Sequence, residues 1–225
     1  MDMETVLAAE RLGVSRRQVE RLVETGALVG VRTAGGAWLV DAASVEKRRV
    51  TSVRRGRPWN AWTAWAALFL VSGMPAPWTD SRQSKRIAVR LTSISAEGLV
   101  AACRRKATRH VFRAGDSFLS DVQAMLVPSG VSALTADAHL MVSSVNRVEG
   151  YCGTSDLPAV VSRGHLVPDP VGNLVVHVAD CQEALAAANG VMPAGVVGVD
   201  LANSLDPRER SAGLRQLKGL LTQWR

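Results

Sequence analysis

Two short runs of helical periodicity, separated by one glycine within the stretch from Thr5 to Val40, constrain this chain more than any other feature. Val6, Ala9 and Leu12 recur every three residues, the spacing of one face of a helix over about Val6 to Leu12. Gly13 breaks that helix, and Val14 is placed to enter the small core beside it. Ser15 followed three residues later by Gln18 is a capping box: the serine oxygen takes a backbone amide of the first turn and the glutamine reaches back. Val19, Leu22 and Val23 supply the buried stripe of the second helix, and Gly26 supplies its left-handed stop.

The residues left outside that stripe carry the functional signal. Arg16, Arg17, Gln18, Glu20 and Arg21 occupy the first two turns and point mostly away from the apolar positions. In a helix-turn-helix, the start of the second helix faces base edges in the major groove. Arginine and glutamine make paired hydrogen bonds there, to guanine and adenine respectively. Val29, Val31, Leu39 and Val40 then flank Ala34-Gly35-Gly36, which reads as a two-stranded wing reversing at a glycine turn. Arg32 and Thr33 lie at its tip, where a wing touches phosphate. Ser15 joins this set through its cap.

The segment resembles the winged helix-turn-helix domains of the MerR and excisionase type, on Leu12-Gly13-Val14-Ser15, Gly26-Ala27-Leu28 and Arg32 with Gly35-Gly36. The resemblance covers about 45 residues. It implies DNA as ligand.

At 225 residues the chain has room for such a module and one full core. Its 47% apolar content is that of a globular, not a disordered, protein. The net charge of +7 is unevenly spread. Residues 1–113 hold 20 Lys/Arg against 9 Asp/Glu, whereas residues 114–225 hold 7 against 11. A basic half joined to a mildly acidic half suits one module on nucleic acid and another with a different task. Cys103, Cys152 and Cys181 lack CxxC or zinc-ligand spacing, so free thiols in a reducing cytoplasm are expected, with no metal and no cofactor. No signal peptide opens the chain, and Ala61–Val71 has about half the ~20 residues a membrane helix needs, so a cytoplasmic protein with no membrane contact is expected.

The expected fold class is α+β: a winged helix-turn-helix over 1–50, a basic linker over 51–58, and a larger mixed α/β domain with a helical first part over 59–225. A short helix from Ala42 to Val50, capped by Asp41, turns Val45 inward and Lys47, Arg48 and Arg49 outward. In the linker, Arg54, Arg55 and Arg57 are placed to follow a DNA backbone or simply to stay solvated. Pro58–Gly73 reads as an amphipathic helix. Its Trp62, Trp65 and Phe69 are assigned to a core or partner interface rather than, with Trp59, to a platform for unstacked bases. Ser81–Thr108 is helical with a break near Ser93–Ser95, and its Arg and Lys runs, Arg104-Arg105-Lys106 included, read as solvated faces. Further on, Val111–Ala114, Val145–Cys152, Leu174–Val178 and Gly195–Leu201 read as strands. Ser117–Met125, Ser132–His139, Leu157–Arg163, Asp180–Ala188 and a last segment opened by Asp206-Pro207 read as helices.

No catalytic residue is assigned. The four histidines are scattered, and no HExxH, GxSxG, Walker A loop or GxGxxG is present. Asp200 and Asp206 are read as a turn residue and an N-cap. An enzyme is not expected.

Longer stretches add a second resemblance. Arg55-Gly56-Arg57-Pro58-Trp59, Thr63–Leu68, Leu126–Ala133, Val148-Glu149-Gly150-Tyr151, Val199–Ser204 and Asp206–Arg210 resemble AbiEi-type antitoxins, regulators of phage-defence toxin–antitoxin systems. That resemblance implies an antitoxin that represses its own operon, with an AbiEii-type nucleotidyltransferase toxin as partner. Double-stranded operator DNA, read as inverted repeats by two heads of a homodimer or of cooperative neighbours, is the other expected partner. The alternatives are an excisionase-like or MerR-like accessory protein without a toxin, and an enzyme with an appended DNA-binding head.

Overall fold

In the computed structural model, residues 2–25, 27–33, 35–51, 57–136 and 147–225 are described. Gly26, Ala34, Arg54, Arg55, the rest of 52–56, and the segment 137–146 lie outside them. With them lie the glycine stop, one wing-turn residue, two linker arginines, the end of the Ser132–His139 helix and the start of the Val145 strand. The protein is mixed α and β, and its contacts divide it into two units, Met1–Arg54 and Arg55–Arg225.

The first unit runs β1 (Asp2–Glu4), α1 (Thr5–Leu12), α2 (Arg16–Glu24), β2 (Gly30–Arg32), β3 (Trp38–Asp41) and α3 (Ala42–Thr51). Gly13 ends α1 in the left-handed region, at φ 56° and ψ 44°, which a residue with a Cβ enters only with strain. The Ser15 hydroxyl oxygen then accepts the Gln18 amide at 3.2 Å and opens α2. Val19, Leu22, Val23, Leu28, Val40 and Val45 close one core with Ala8, Ala9 and Leu12. The inner face of α1 differs from the expected one: Thr5 and Ala8 are buried, whereas Val6 is 49% exposed. In so short a helix one apolar residue does not define the face. β3 pairs antiparallel with β2, Val31 opposite Leu39, and also with β1, Met3 opposite Val40. The outer strand β1 covers an edge of β3 that a two-stranded wing leaves open. Asp41 Oδ2 accepts the Ser44 amide at 2.7 Å and starts α3.

The second unit begins with α4 (Ala61–Val71), α5 (Ser81–Ser93) and α6 (Ala96–Ala102). Pro58 lies ahead of α4, not in its first turn: Asn60 Oδ1 accepts the Thr63 amide at 2.8 Å and sets the start at Ala61. Nor is α4 amphipathic. Ala64 to Phe69 are all fully buried, and Trp62, in the first turn, is its one exposed residue. Then follow β4 (Thr108–Arg113), α7 (Asp116–Ala124), β5 (Val127–Pro128), α8 (Gly130–Ala136), β6 (Val148–Gly153) and α9 (Leu157–Arg163). β7 (Val167–Pro168), β8 (Leu174–Ala179), α10 (Gln182–Ala188), α11 (Ala194–Ala202) and α12 (Pro207–Trp224) complete it.

The strands form one sheet in the order β5-β6-β8-β4-β7, with β6 and β8 parallel and every other pair antiparallel. Every residue of β6 and β8 is buried, as a parallel pair covered on both faces requires. Val148, Cys152, Leu174, Val176 and Val178 face one core with Val122 and Val160. Tyr151 and Ala179 face the other, which holds α4, α11 and α12.

Gly195–Leu201, expected as a strand, is helical. Its residues are buried without exception, so no 3.6-residue period survives in the sequence, and Pro193 caps the helix start. α11 lies close against α12 because Gly213 has no side chain: a Cβ there would press on the Ala202 amide nitrogen and the Gly198 carbonyl.

Candidate functional site

Two constellations stand out, one in each unit. In the first, burial of Val19, Leu22 and Val23 fixes the orientation of α2. At about 100° per residue, Arg17 and Arg21 fall within roughly 30° of the direction opposite that stripe. Both are exposed, and neither has an ion pair or side-chain hydrogen bond among the described residues. Gln18 is exposed to one side of them. Arg16 and Glu20 lie on the other side and are spent on each other, Nε to Oε1 at 2.9 Å. Such an exposed i,i+4 pair stabilises by only about 0.3–0.5 kcal/mol, so a stronger anion can displace the carboxylate.

In the β2–β3 turn, the Arg32 guanidinium donates to the Gly36 carbonyl at 3.2 Å and sits 5.9 Å from the Trp38 ring centre. The Thr33 hydroxyl donates to the Ala37 carbonyl and accepts the Ala37 amide, each at 3.1 Å, which fixes the turn. Ser15, Arg16, Arg17, Gln18, Glu20, Arg21, Arg32 and Thr33 therefore belong to one unit. Arg57 does not. It lies in the second unit and lines a hollow with Trp59, Arg90 and Arg105. Arg54 and Arg55 are outside the described residues.

The second constellation was not legible in the sequence. Lys106 is buried, although it stands in a run read as solvated, and its Nζ lies 2.6 Å from Asp200 Oδ1. Asp200 Oδ2 accepts the Ser129 hydroxyl at 2.6 Å, and both carboxylate oxygens accept Tyr151, at 2.9 and 3.1 Å. Asp200 is thus an interior helix residue at the centre of a network, not a turn residue. His177 stacks on Tyr151 at 4.8 Å between ring centres and meets Glu149 Oε1 at 2.8 Å. Strand alternation puts Glu149 and Tyr151 on one face of β6, and His177 lies opposite Tyr151 on β8.

Burial pushes Asp200 up, but the pull of Lys106 and His177 and the bonds from Lys106 and Ser129 outweigh it, so the carboxyl lies below its ordinary value. Burial first, then the Asp200 charge, hold Tyr151 well above the ordinary phenol range. None of the six side-chain owners exposes more than 6% of its surface, so a substrate would have to open the core to reach them. What the arrangement does in this state is pin α11 to the sheet. No group of three or more His, Cys, Asp or Glu among the described residues has the geometry to hold a metal ion. No helix among them is long and apolar enough to cross a membrane.

Comparison of the chain with protein-family models, with curated proteins and with solved structures returned no match.

Proposed function

We propose that Met1–Arg54 is a winged helix-turn-helix that reads double-stranded DNA, and that the protein is a sequence-specific regulator acting on its own promoter. The observation that carries this reading is the outward face of α2. Arg17 and Arg21, without ion-pair or side-chain hydrogen-bond partners among the described residues and opposite the buried stripe, are held there by the Ser15 cap and the Gly13 turn. Arg17, Gln18 and Arg21 enter the major groove, Arg16 exchanges Glu20 for a phosphate, and Arg32 grips the backbone from the wing turn. A head of this size gives limited affinity alone, so two heads on inverted repeats are the expected arrangement.

The test is a mobility shift of the full protein on its upstream DNA at two salt concentrations, with scrambled competitor. Specific binding that disappears in Arg17→Ala/Arg21→Ala supports the reading; equal affinity for scrambled DNA overturns it. The antitoxin role implied by the resemblance concerns the second unit. It calls for rescue, by this protein, of cells expressing a neighbouring nucleotidyltransferase toxin, and an adjacent integrase gene would favour the excisionase-like alternative instead.

A further inference from the structure

The positive charge of this chain is not concentrated in its DNA-reading head. Residues 1–54 hold 9 Lys/Arg against 7 Asp/Glu, whereas residues 55–113 hold 11 against 2. Within that second segment, α5 carries Arg82, Lys85, Arg86 and Arg90, all exposed, and contains no acidic residue. None of the four forms an ion pair among the described residues. One helix therefore presents four cations uncompensated by any described residue.

Aromatic rings stand directly beside them. The Arg90 guanidinium lies 6.0 Å from the Trp59 ring centre, and Trp62, at the open first turn of α4, is 44% exposed. Trp78 Nε1 donates to the Trp62 carbonyl at 3.4 Å, and its ring is braced edge-on against Phe69 at 4.9 Å. Three hollows of about 340, 540 and 620 Å³ adjoin here. All three are lined by Arg90; Asn60 and Thr63 join two of them, and Arg86 joins another two. The two hollows that share Asn60, Thr63 and Arg90 form a groove with Trp59, Trp62 and Trp78 beside Arg86 and Arg90, and the third extends along α5 past Arg82 and Lys85.

We propose that this groove binds single-stranded nucleic acid, with unpaired bases stacked on Trp62 and Trp78 and phosphates held by Arg86 and Arg90. A duplex backbone would need the cations alone, since paired bases keep their faces hidden. An exposed tryptophan set against rigid core helices, among unpaired arginines, matches the pairing of stacking surface and electrostatic groove that unpaired strands require. The groove is built from residues of the second unit alone and α2 belongs to the first, so this inference stands or falls independently of the operator reading.

The experiment is fluorescence anisotropy of the full chain with labelled oligothymidine and oligouridine of about 12 nucleotides and with a duplex of equal length. The wild type is expected to bind at least one single strand more tightly than the duplex, with salt-sensitive affinity. Arg86→Ala/Arg90→Ala and Trp62→Ala should each weaken single-strand binding about tenfold or more, while Trp62→Phe, which keeps a ring, stays within about threefold. Arg17→Ala/Arg21→Ala should leave it within about twofold. The ratio of thymidine to uridine affinity assigns the strand to DNA or RNA. Binding that survives Trp62→Ala unchanged reduces the groove to a phosphate patch and overturns the proposal. So does single-strand binding that follows the α2 variant instead.

Discussion

Replacing Lys106 by methionine isolates the ion pair that ties α11 to the sheet. Methionine keeps most of the length and apolar stem of lysine but removes the ammonium 2.6 Å from Asp200. Asp200, 4% exposed, then keeps the Ser129 and Tyr151 hydroxyls among the described residues. Breaking a buried pair by removing one member typically costs about 3–5 kcal/mol, because the survivor is left uncompensated. For a unit of this size, a urea m-value near the top of the usual range, about 3 kcal/mol/M, turns that into a midpoint lowered by about 1–2 M. Tryptophan emission is the natural probe, since five of the six tryptophans lie in Arg55–Arg225. Trp65 itself donates to the Lys106 carbonyl at 2.9 Å and packs edge-on against Tyr151 at 5.3 Å. Pairing the change with Asp200→Asn removes both charges, and the double variant should recover at least about 1 kcal/mol of the summed single losses. A midpoint shift below about 0.3 M for Lys106→Met, or strictly additive singles, would refute a desolvated pair at this position.

Other outcomes follow from the same structure. Arg17→Ala should cost about 1–3 kcal/mol at the operator and little on random DNA, as measured by competition binding; an equal loss on both would make Arg17 a phosphate contact. Gly213→Ala should destabilise the second unit by about 1–3 kcal/mol in urea, since a methyl at that position meets backbone rather than a movable side chain. Burial lifts the Cys103 thiol to about 12, so its contribution to stability is intact below its ordinary value of 9.0 and is lost as pH climbs from there towards 12. Tyr151, held up in the same way, adds to that alkaline loss, which urea midpoints at pH 8, 10 and 11 would display. Asp200 acts at the opposite end: its depressed carboxyl stabilises the fold above about pH 4 and loses that effect as pH falls through its folded value, so acid unfolding should be blunted in Asp200→Asn relative to its own neutral-pH stability.

What the sequence made legible was local. The Gly13 turn, the Ser15 cap, the Val19/Leu22/Val23 stripe and the Asp206 cap of α12 each depend on residues within one or two turns of one another, and each is in place. The outward face of α2 follows from that stripe, so the candidate DNA-reading residues are legible in the sequence. The polar network is the reverse case. Lys106 and Asp200 are 94 residues apart, and Glu149 and His177 meet only because β6 and β8 pair in parallel. Lys106 looks like its neighbours Arg104 and Arg105 until the turn before β4 points it inward. The sequence of α11 reads as a strand because full burial removes the periodicity that separates the two structures. β1, three residues long, gave no pattern at all.

The distribution of charge bears on how specificity and affinity are divided in this molecule. A head with a net charge of only +2 neutralises few phosphates, and its acidic Asp2, Glu4, Glu20 and Glu24 oppose indiscriminate binding. On the proposed reading, such a head would discriminate by the geometry of Arg17, Gln18 and Arg21 rather than by bulk attraction. The segment from 55 to 113 has the opposite character: nine net positive charges, four of them exposed on α5 without an ion pair among the described residues, set beside Trp59, Trp62 and Trp78. Taken together, the two proposals assign bulk electrostatic affinity to the second unit and base discrimination to the first. If both proposals hold, the protein would be retained on nucleic acid by one surface while the other tests sequence, and weakening either would leave the other's signature measurable.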